Sequence, residues 1–325
     1  MDPLLFLQLF SGLIYLLFGG DLLVRGAVAL ARKFHVPPMI IALTIVAFGT
    51  SLPELVVVVQ ATLAGYPGLV LGNVVGSNIA NVLLVAGAAA VIYPLTYGDH
   101  SVRRDSLFMV ATSVLLVFLC WNGTLDLAEG AILLAGLVVV NVLTAREAAR
   151  AFRESELKAP LEWVLGLPTN TWLILLFIVA GAVGLPIGAK MVVDASVEIA
   201  VAWGVSDTVV GLTVLAIGTS LPELATTVTA ALQKRTEVAI GTIVGSNMFN
   251  ILAILGVAAT ISPAPIEVPG GFFTLDFPVM LGAAVVLTAL AIVKRPVGRA
   301  SGVIFLVAYL AYLLLLGLRT QGIVF

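Results

Sequence analysis

The sequence predicts an all-α polytopic membrane protein, with about ten transmembrane helices arranged as two inverted-topology five-helix repeats. Three observations lead there: a succession of apolar runs, a segment that returns nearly unchanged in the second half, and an alternation of basic and neutral loops. Of 325 residues, 61% are hydrophobic and 10% charged, against roughly 25% charged in an ordinary soluble domain. Runs long enough to cross about 30 Å of hydrocarbon at about 1.5 Å per residue follow one another along the whole chain.

The first span, 4–31, is preceded by Met1-Asp2-Pro3 with no basic residue, so a cleaved signal peptide is not expected and the span stays. The others fall at 37–64, 68–92, 106–121, 126–147, 171–202, 208–232, 238–262, 275–293 and 301–318. They divide the chain into a first repeat at 1–148, a cytoplasmic linker at 149–168 and a second repeat at 169–325. Around the linker, Arg146, Arg150, Arg153 and Lys158 alternate with Glu147, Glu154, Glu156 and Glu162. With so few apolar residues it reads as a short, partly helical connection, not an independent regulatory domain. Cys120 is the one cysteine, which excludes an internal disulfide or a thiolate metal cluster and leaves it a packing role.

Of the 16 Lys and Arg residues, thirteen lie in the odd-numbered loops, and the even-numbered loops and the N-terminus carry none. By the positive-inside rule those odd loops face the cytoplasm and both termini face outward, across a plasma (inner) membrane. Nothing in the composition points to nucleic acid or to an obligate protein partner; the bilayer is the partner it implies.

The repeat runs without a gap at an offset of 169 residues. Ile41 to Leu55 reads IALTIVAFGTSLPEL and Val210 to Leu224 reads VGLTVLAIGTSLPEL; Gly72 to Asn81 reads GNVVGSNIAN and Gly241 to Asn250 reads GTIVGSNMFN. Five spans per half is an odd number, so the second copy enters from the opposite side and the relating axis lies in the membrane plane. That architecture places a binding site near mid-membrane, where the halves meet.

Each copy carries a glutamate, Glu54 and Glu223, inside an apolar span. A bare carboxylate in hydrocarbon is costly, and a cation is the partner that offsets two of them. Pro53 and Pro222 lack the backbone donor and break the helix just before, making the carbonyls around Ala47 and Phe48, and Ala216 and Ile217, candidate ligands. Thr50 and Ser51, with Thr219 and Ser220, add hydroxyl oxygens. A proline kink patched by Ser and Thr would explain one copy, but its recurrence beside a glutamate makes that the weaker reading.

Downstream, Gly72 and Gly76, matched by Gly241 and Gly245, form a small-residue surface for close backbone approach. Ser77 and Asn81, and Ser246 and Asn250, are spaced i,i+4 and share a face, so they are candidate oxygen donors, while Asn78 and Asn247 point roughly 100° away toward neighbouring helices. The donors are carboxylate, hydroxyl, amide and backbone oxygen, without sulfur, and His35 and His100 fall in cytoplasmic loops as surface histidines. Hard cations suit such a set, Ca²⁺ above Mg²⁺ or zinc. Two carboxylates balance one Ca²⁺ or two Na⁺, and competition between those loads is a physical basis for exchange.

The paired GTSLPEL and GSN segments resemble the two alpha repeats of the sodium/calcium exchanger family, within the cation/calcium antiporter superfamily. The resemblance implies an antiporter, not an enzyme, that exchanges Ca²⁺ for Na⁺ as transported substrates with no cofactor, by sliding of the first and sixth helices. It also implies that Glu54 and Glu223 are the acidic calcium ligands. Thr50, Ser51, Ser77, Thr219, Ser220 and Ser246 with the carbonyls of Ala47 and Ala216 would flank them, and Asn81 would be a central polar ligand. One position departs, since exchanger members often carry an aspartate where this chain has Asn250. That departure bears on sodium coupling, and the alternative is a Ca²⁺/H⁺ antiporter in which the two glutamates carry protons on the return step. A cation channel is disfavoured by an axis lying in the membrane plane, and an intramembrane enzyme by the absence of a Cys/His pair, zinc motif or Ser/His/Asp set.

Further charges lie inside the spans. Asp21 and Arg25, and at the aligned places Lys190 and Asp194 with signs swapped, are spaced as local i,i+4 ion pairs, with a gate as the bolder reading. Glu198 reads as a solvated residue near the outer end of span six.

Overall fold

The computed structural model describes residues 3–34, 38–97, 101–155, 167–202 and 216–320. Among these, 8 helices are long and apolar enough to cross a membrane, or 9 if one bent pair is a single span. They are α1 (Pro3–Lys33), the bent pair α2 and α3 (Ala42–Thr50 and Leu52–Leu63), α4 (Pro67–Ile92), α5 (Ser101–Leu119), α6 (Leu127–Ser155) and α7 (Thr171–Ala202). After α8 (Ala216–Thr219) and α9 (Leu221–Leu232) come α10 (Thr236–Ile261), α11 (Phe272–Ile292) and α12 (Arg299–Thr320). The expected span at 208–232 is seen only from Ala216 onward; its first part, both histidines and most of the linker lie outside the described residues.

Proline sets the breaks. Pro53 and Pro222 occupy the first turns of α3 and α9, and the residues ahead of them, Ser51 and Ser220, take up nearly the same bridge-region backbone, φ −88°, ψ 8° and φ −86°, ψ 3°. At Ser51 the axis turns by 53°. Among the described residues π turns occur at Ala42–Val46 in α2, Asn81–Val85 in α4, Asn250–Leu255 in α10 and Phe272–Asp276 in α11, and those of α4 and α10 each begin at an asparagine at the repeat offset. The sequence pattern did not announce them.

Among the described spans the most buried are α10, 94% buried over its most apolar stretch, and α4 at 72%; α6 at 17% and α12 at 22% lie at the periphery. The Gly-Ser-Asn motifs are therefore on the innermost of these spans. Beside this bundle, α1 and α7 pack along one another through glycine. A Cβ on Gly181 would lie 2.7 Å from the Gly19 carbonyl oxygen, and one on Gly188 would lie 2.9 Å from that of Gly12. Close packing expected of Gly245 is also seen, its Cβ position lying 2.6 Å from Leu43 O. Gly72 and Gly76 have no described neighbour within 4 Å.

Two expectations need correction. The chain is not purely helical: Thr124–Leu125 and Ile266–Glu267 form a two-stranded antiparallel pair, β1 and β2, that ties two loops together. Span four begins near Ser101, not at 106, because Arg104 enters the helix neutralised by Asp105 at 2.7 Å and by Glu147 of α6. Span five is as expected, its apolar stretch running Leu127–Glu147, and the helix α6 continues beyond it to Ser155; its start is fixed by a capping box in which Asp126 Oδ1 accepts from the Ala128 N–H and Glu129 Oε2 from the Asp126 N–H. Cys120 is buried, as a packing residue should be.

Candidate functional site

Where α2 meets α3 and α8 meets α9, both glutamates sit in the first turn of the second helix, near N–H groups with no intrahelical partner. Glu54 and Glu223 are each 1% exposed, and Ser51, three residues before Glu54, bonds Glu223 across the two halves. Hydroxyls and amides from both halves surround them.

Glu223 is the better supported. Its Oε1 accepts from the Ser51 hydroxyl at 2.9 Å and from the Ser246 hydroxyl at 3.5 Å, and Ser246 Oγ is 3.4 Å from Thr50 Oγ1. Its Oε2 has no partner. Among the described residues Glu54 receives no hydrogen bond from any side chain, and the hydroxyl of Ser220, the counterpart of Ser51, is also unpartnered. Among neighbouring amides, Asn81 donates to Asn247 Oδ1 at 3.1 Å and leaves its own Oδ1 unpartnered, while both polar atoms of Asn250 are buried without a partner. Asn247 does join helix to helix, as expected, but Asn78 turns its amide back to Val74 O of its own helix at 2.7 Å. Ser77 and Thr219 are buried, at 3% and 7% exposure.

Backbone carbonyls behave differently from expectation at Ala47. Its oxygen accepts both the Ser51 N–H at 3.1 Å and the Thr50 hydroxyl at 3.2 Å. A proline removes the donor to the fourth residue before it, so Pro53 relieves the carbonyl of Gly49, not that of Ala47. Ala216 begins α8, and its backbone is the only part of it described.

Among the described residues no group of three His, Cys, Asp or Glu side chains could hold a metal ion. A cation here would meet two carboxylates and otherwise neutral oxygens, a donor set that suits a hard ion. Both local ion pairs form, Asp21–Arg25 at 2.7 Å and Lys190–Asp194 at 2.9 Å, and Glu198 is exposed. Two features went unread in the sequence. Thr226 and Thr227 in α9 are fully buried with unpartnered hydroxyls, where the aligned places in α3 hold Val57 and Val58. Asp276 is buried against the Tyr312 hydroxyl at 2.7 Å and Arg319 at 3.2 Å, pinning α12 to α11.

A family model described as sodium/calcium exchanger protein matches residues 4–145 and 172–318. The putative antiporter CaxA of Alkalimonas amylolytica is 38% identical over 308 residues, covering 94% of this chain and 96% of that one. The sodium/calcium exchanger MaX1 of Methanosarcina acetivorans is 31% identical, covering 96% and 98%. Among solved structures, the sodium-calcium exchanger NCX_Mj, soaked with Na⁺ and Ca²⁺, superposes with a TM-score of 0.80 at 28% identity over 96% of this chain and 98% of that one.

Proposed function

The chain belongs to the sodium/calcium exchanger family, and from that premise we propose that it is a secondary active antiporter exchanging Ca²⁺ for Na⁺ by alternating access at a mid-membrane site built on Glu54 and Glu223. The observation that carries this reading is the carboxylate pair, buried at 1% exposure on both sides and linked through Ser51, which precedes Glu54 by three residues and bonds Glu223. Two bare charges so placed cost several kcal/mol each, and a cation between them removes both the repulsion and the desolvation penalty.

Ca²⁺ takes about six to eight oxygens. In this reading the carboxylates are joined by the hydroxyls of Thr50, Ser51, Ser77, Thr219, Ser220 and Ser246 and by the amide oxygens of Asn81 and Asn250. The Ala47 and Ala216 carbonyls stand at the edge of the set, and Ala47 would have to release a hydroxyl to serve. A charge of −2 is balanced by one Ca²⁺ or two Na⁺, never by an empty site. An unloaded protein therefore reorients reluctantly, which couples the passage of one ion to the return of the other.

The same reading takes the chain as ten spans in two inverted five-helix repeats, 1–148 and 169–325, joined by a cytoplasmic linker. Matching helix breaks at Ser51 and Ser220 and matching π turns at Asn81 and Asn250 support it. Basic residues set the linker side in the cytoplasm and both termini outside a plasma membrane. One chain supplies both carboxylates, so no protein partner or cofactor is required, and the ions are cargo.

Ca²⁺/H⁺ antiport is the second reading. Asn250 favours it, because an amide there limits the site to two titratable groups. Proteoliposomes loaded with Na⁺ should accumulate Ca²⁺ when diluted into sodium-free medium. Equal uptake driven by a pH gradient without sodium would transfer the assignment to proton coupling, and no uptake under either gradient would remove antiport altogether.

A further inference from the structure

The α9 helix carries a polar stripe that its counterpart lacks. Glu223, Thr226, Thr227 and Gln233 fall on one face at i, i+3, i+4 and i+10, a rise of about 15 Å, or half the hydrocarbon thickness. The aligned face of α3 reads Glu54, Val57, Val58 and Ala64. Two other buried threonines return their hydroxyls to the carbonyl four residues back, Thr62 to Val58 O and Thr242 to Val238 O, both within 2.9 Å. Thr226 and Thr227, at 0% exposure, do not; their hydroxyls have no partner among the described residues. An unpartnered hydroxyl in a membrane helix costs about 1–3 kcal/mol, so two in succession call for something polar that passes them.

At the end of this stripe, Gln233 Nε2 donates to Asp21 Oδ1 of α1 at 2.6 Å, and the other oxygen of Asp21 is held by Arg25. Just inside that bond, α1 presses on α9: a Cβ on Gly20 would lie 3.0 Å from Thr229 Oγ1 and 3.1 Å from the Ala225 carbonyl oxygen. The repeat relation breaks down at this place. α1 lies along α9 over much of its length, whereas α7 makes no such extended contact with α3, and among the described residues Lys190 and Asp194 bond only to each other.

We propose that the α9 stripe from Glu223 through Thr226 and Thr227 is the cytoplasmic half of the cation path, and that the Gln233–Asp21 hydrogen bond latches it shut. This deepens the antiport reading and rests on it for the identity of the cation. The hydroxyl oxygens replace hydration for an ion leaving the carboxylates, and α1 must release Gln233 before that ion reaches the cytoplasm.

The test uses the full-length protein in proteoliposomes, with Cys120→Ala removing the native thiol. Thr227→Cys is probed from the face bearing Lys234 and Arg235 with a membrane-impermeant methanethiosulfonate, and Val58→Cys serves as control. Labelling of Thr227→Cys should be slow with the latch intact and about tenfold faster with Asp21→Ala or Gln233→Leu, the scale of one lost charge-assisted hydrogen bond. Asp21→Asn, which still offers an acceptor, should restore slow labelling, and Val58→Cys should respond to none of them. Labelling of Thr227→Cys that ignores all three latch variants overturns the proposal. Sodium-driven Ca²⁺ uptake is read from the same vesicles: a latch response without uptake sinks the exchange reading and keeps the path, and uptake without a latch response does the reverse.

Discussion

Ser51 of the first half donates its hydroxyl to Glu223 of the second across 172 positions at 2.9 Å, while the mirror pair, Ser220 and Glu54, is left unbonded. A sequence duplicated at one offset has thus settled into an unsymmetrical site. Hydrogen bonds to charged groups contribute about 1.5–3 kcal/mol, so Ser51→Ala is expected to raise the KM for Ca²⁺ uptake about tenfold or more. Ser220→Ala should cost markedly less when measured from the outer side. Equal losses in the two variants would show that the asymmetry has no energetic content.

Removing either carboxylate should separate stability from transport. Glu54→Gln and Glu223→Gln each delete one member of a buried repelling pair, and replacing a buried charge with a neutral isostere is often neutral or stabilising. In detergent without Ca²⁺ both variants should melt at or above the wild-type Tm. Wild type should gain stability as Ca²⁺ is added, since a ligand that binds only the folded state raises Tm, and the variants should not. Ca²⁺ flux should be lost in both. A variant that keeps near-normal flux removes its glutamate from the site.

Much of this arrangement was legible in the chain. Letter-for-letter repetition of GTSLPEL located both breaks and both glutamates, because proline's missing donor acts locally and needs no tertiary context. The π turns at Asn81 and Asn250 were not legible, since a π turn differs from an α turn by one residue of register and leaves no composition signal. Nor was the partner of Arg104, whose neutralisation by Glu147 of α6 depends on a contact between separate helices and lets the charge enter the span. The Ser51–Glu223 bond was also beyond reach: a symmetrical sequence is compatible with closure on either side, and only packing chooses between them.

Glycine spacing between α1 and α7 makes a separate prediction. A Cβ on Gly181 would meet Gly19 O at 2.7 Å, whereas one on Gly184 would find its nearest atom at 3.8 Å. Gly181→Ala should therefore force the helices apart at a cost of about 1–3 kcal/mol and slow turnover. Gly184→Ala should leave both unchanged. Thermal melts and flux on the two proteins check it, and a Gly181→Ala protein indistinguishable from Gly184→Ala would show that the helices are not held this close.

The buried cluster that pins α12 invites a double-mutant test. Asp276 accepts from the Tyr312 hydroxyl and from Arg319, whose Nη1 also reaches the Gly271 carbonyl at 3.0 Å. Arg319→Leu leaves a largely buried carboxylate short of a donor and should cost about 1–3 kcal/mol. Combining it with Asp276→Leu should recover part of that loss, because the orphaned charge is gone. Chemical denaturation of wild type, the two single variants and the double variant measures the coupling; strictly additive losses would mean that the ion pair does not hold the helix.

Asn250 offers the sharpest probe of coupling. It is 1% exposed, opens the π turn of α10, and has neither polar atom bonded. Asn250→Asp adds a third carboxyl to a layer that already holds two, without adding volume. An ionised third group would repel the other two, so the new side chain is expected to titrate with transport and to hold its proton when Ca²⁺ is absent. Ca²⁺ uptake should then fall more steeply than in wild type as pH drops and protons compete for the added oxygen, while the sodium requirement persists. Initial rates from pH 6 to 9, in sodium-loaded vesicles with and without a pH gradient, read this directly. Superimposable wild-type and Asn250→Asp profiles would exclude this position from the ion path.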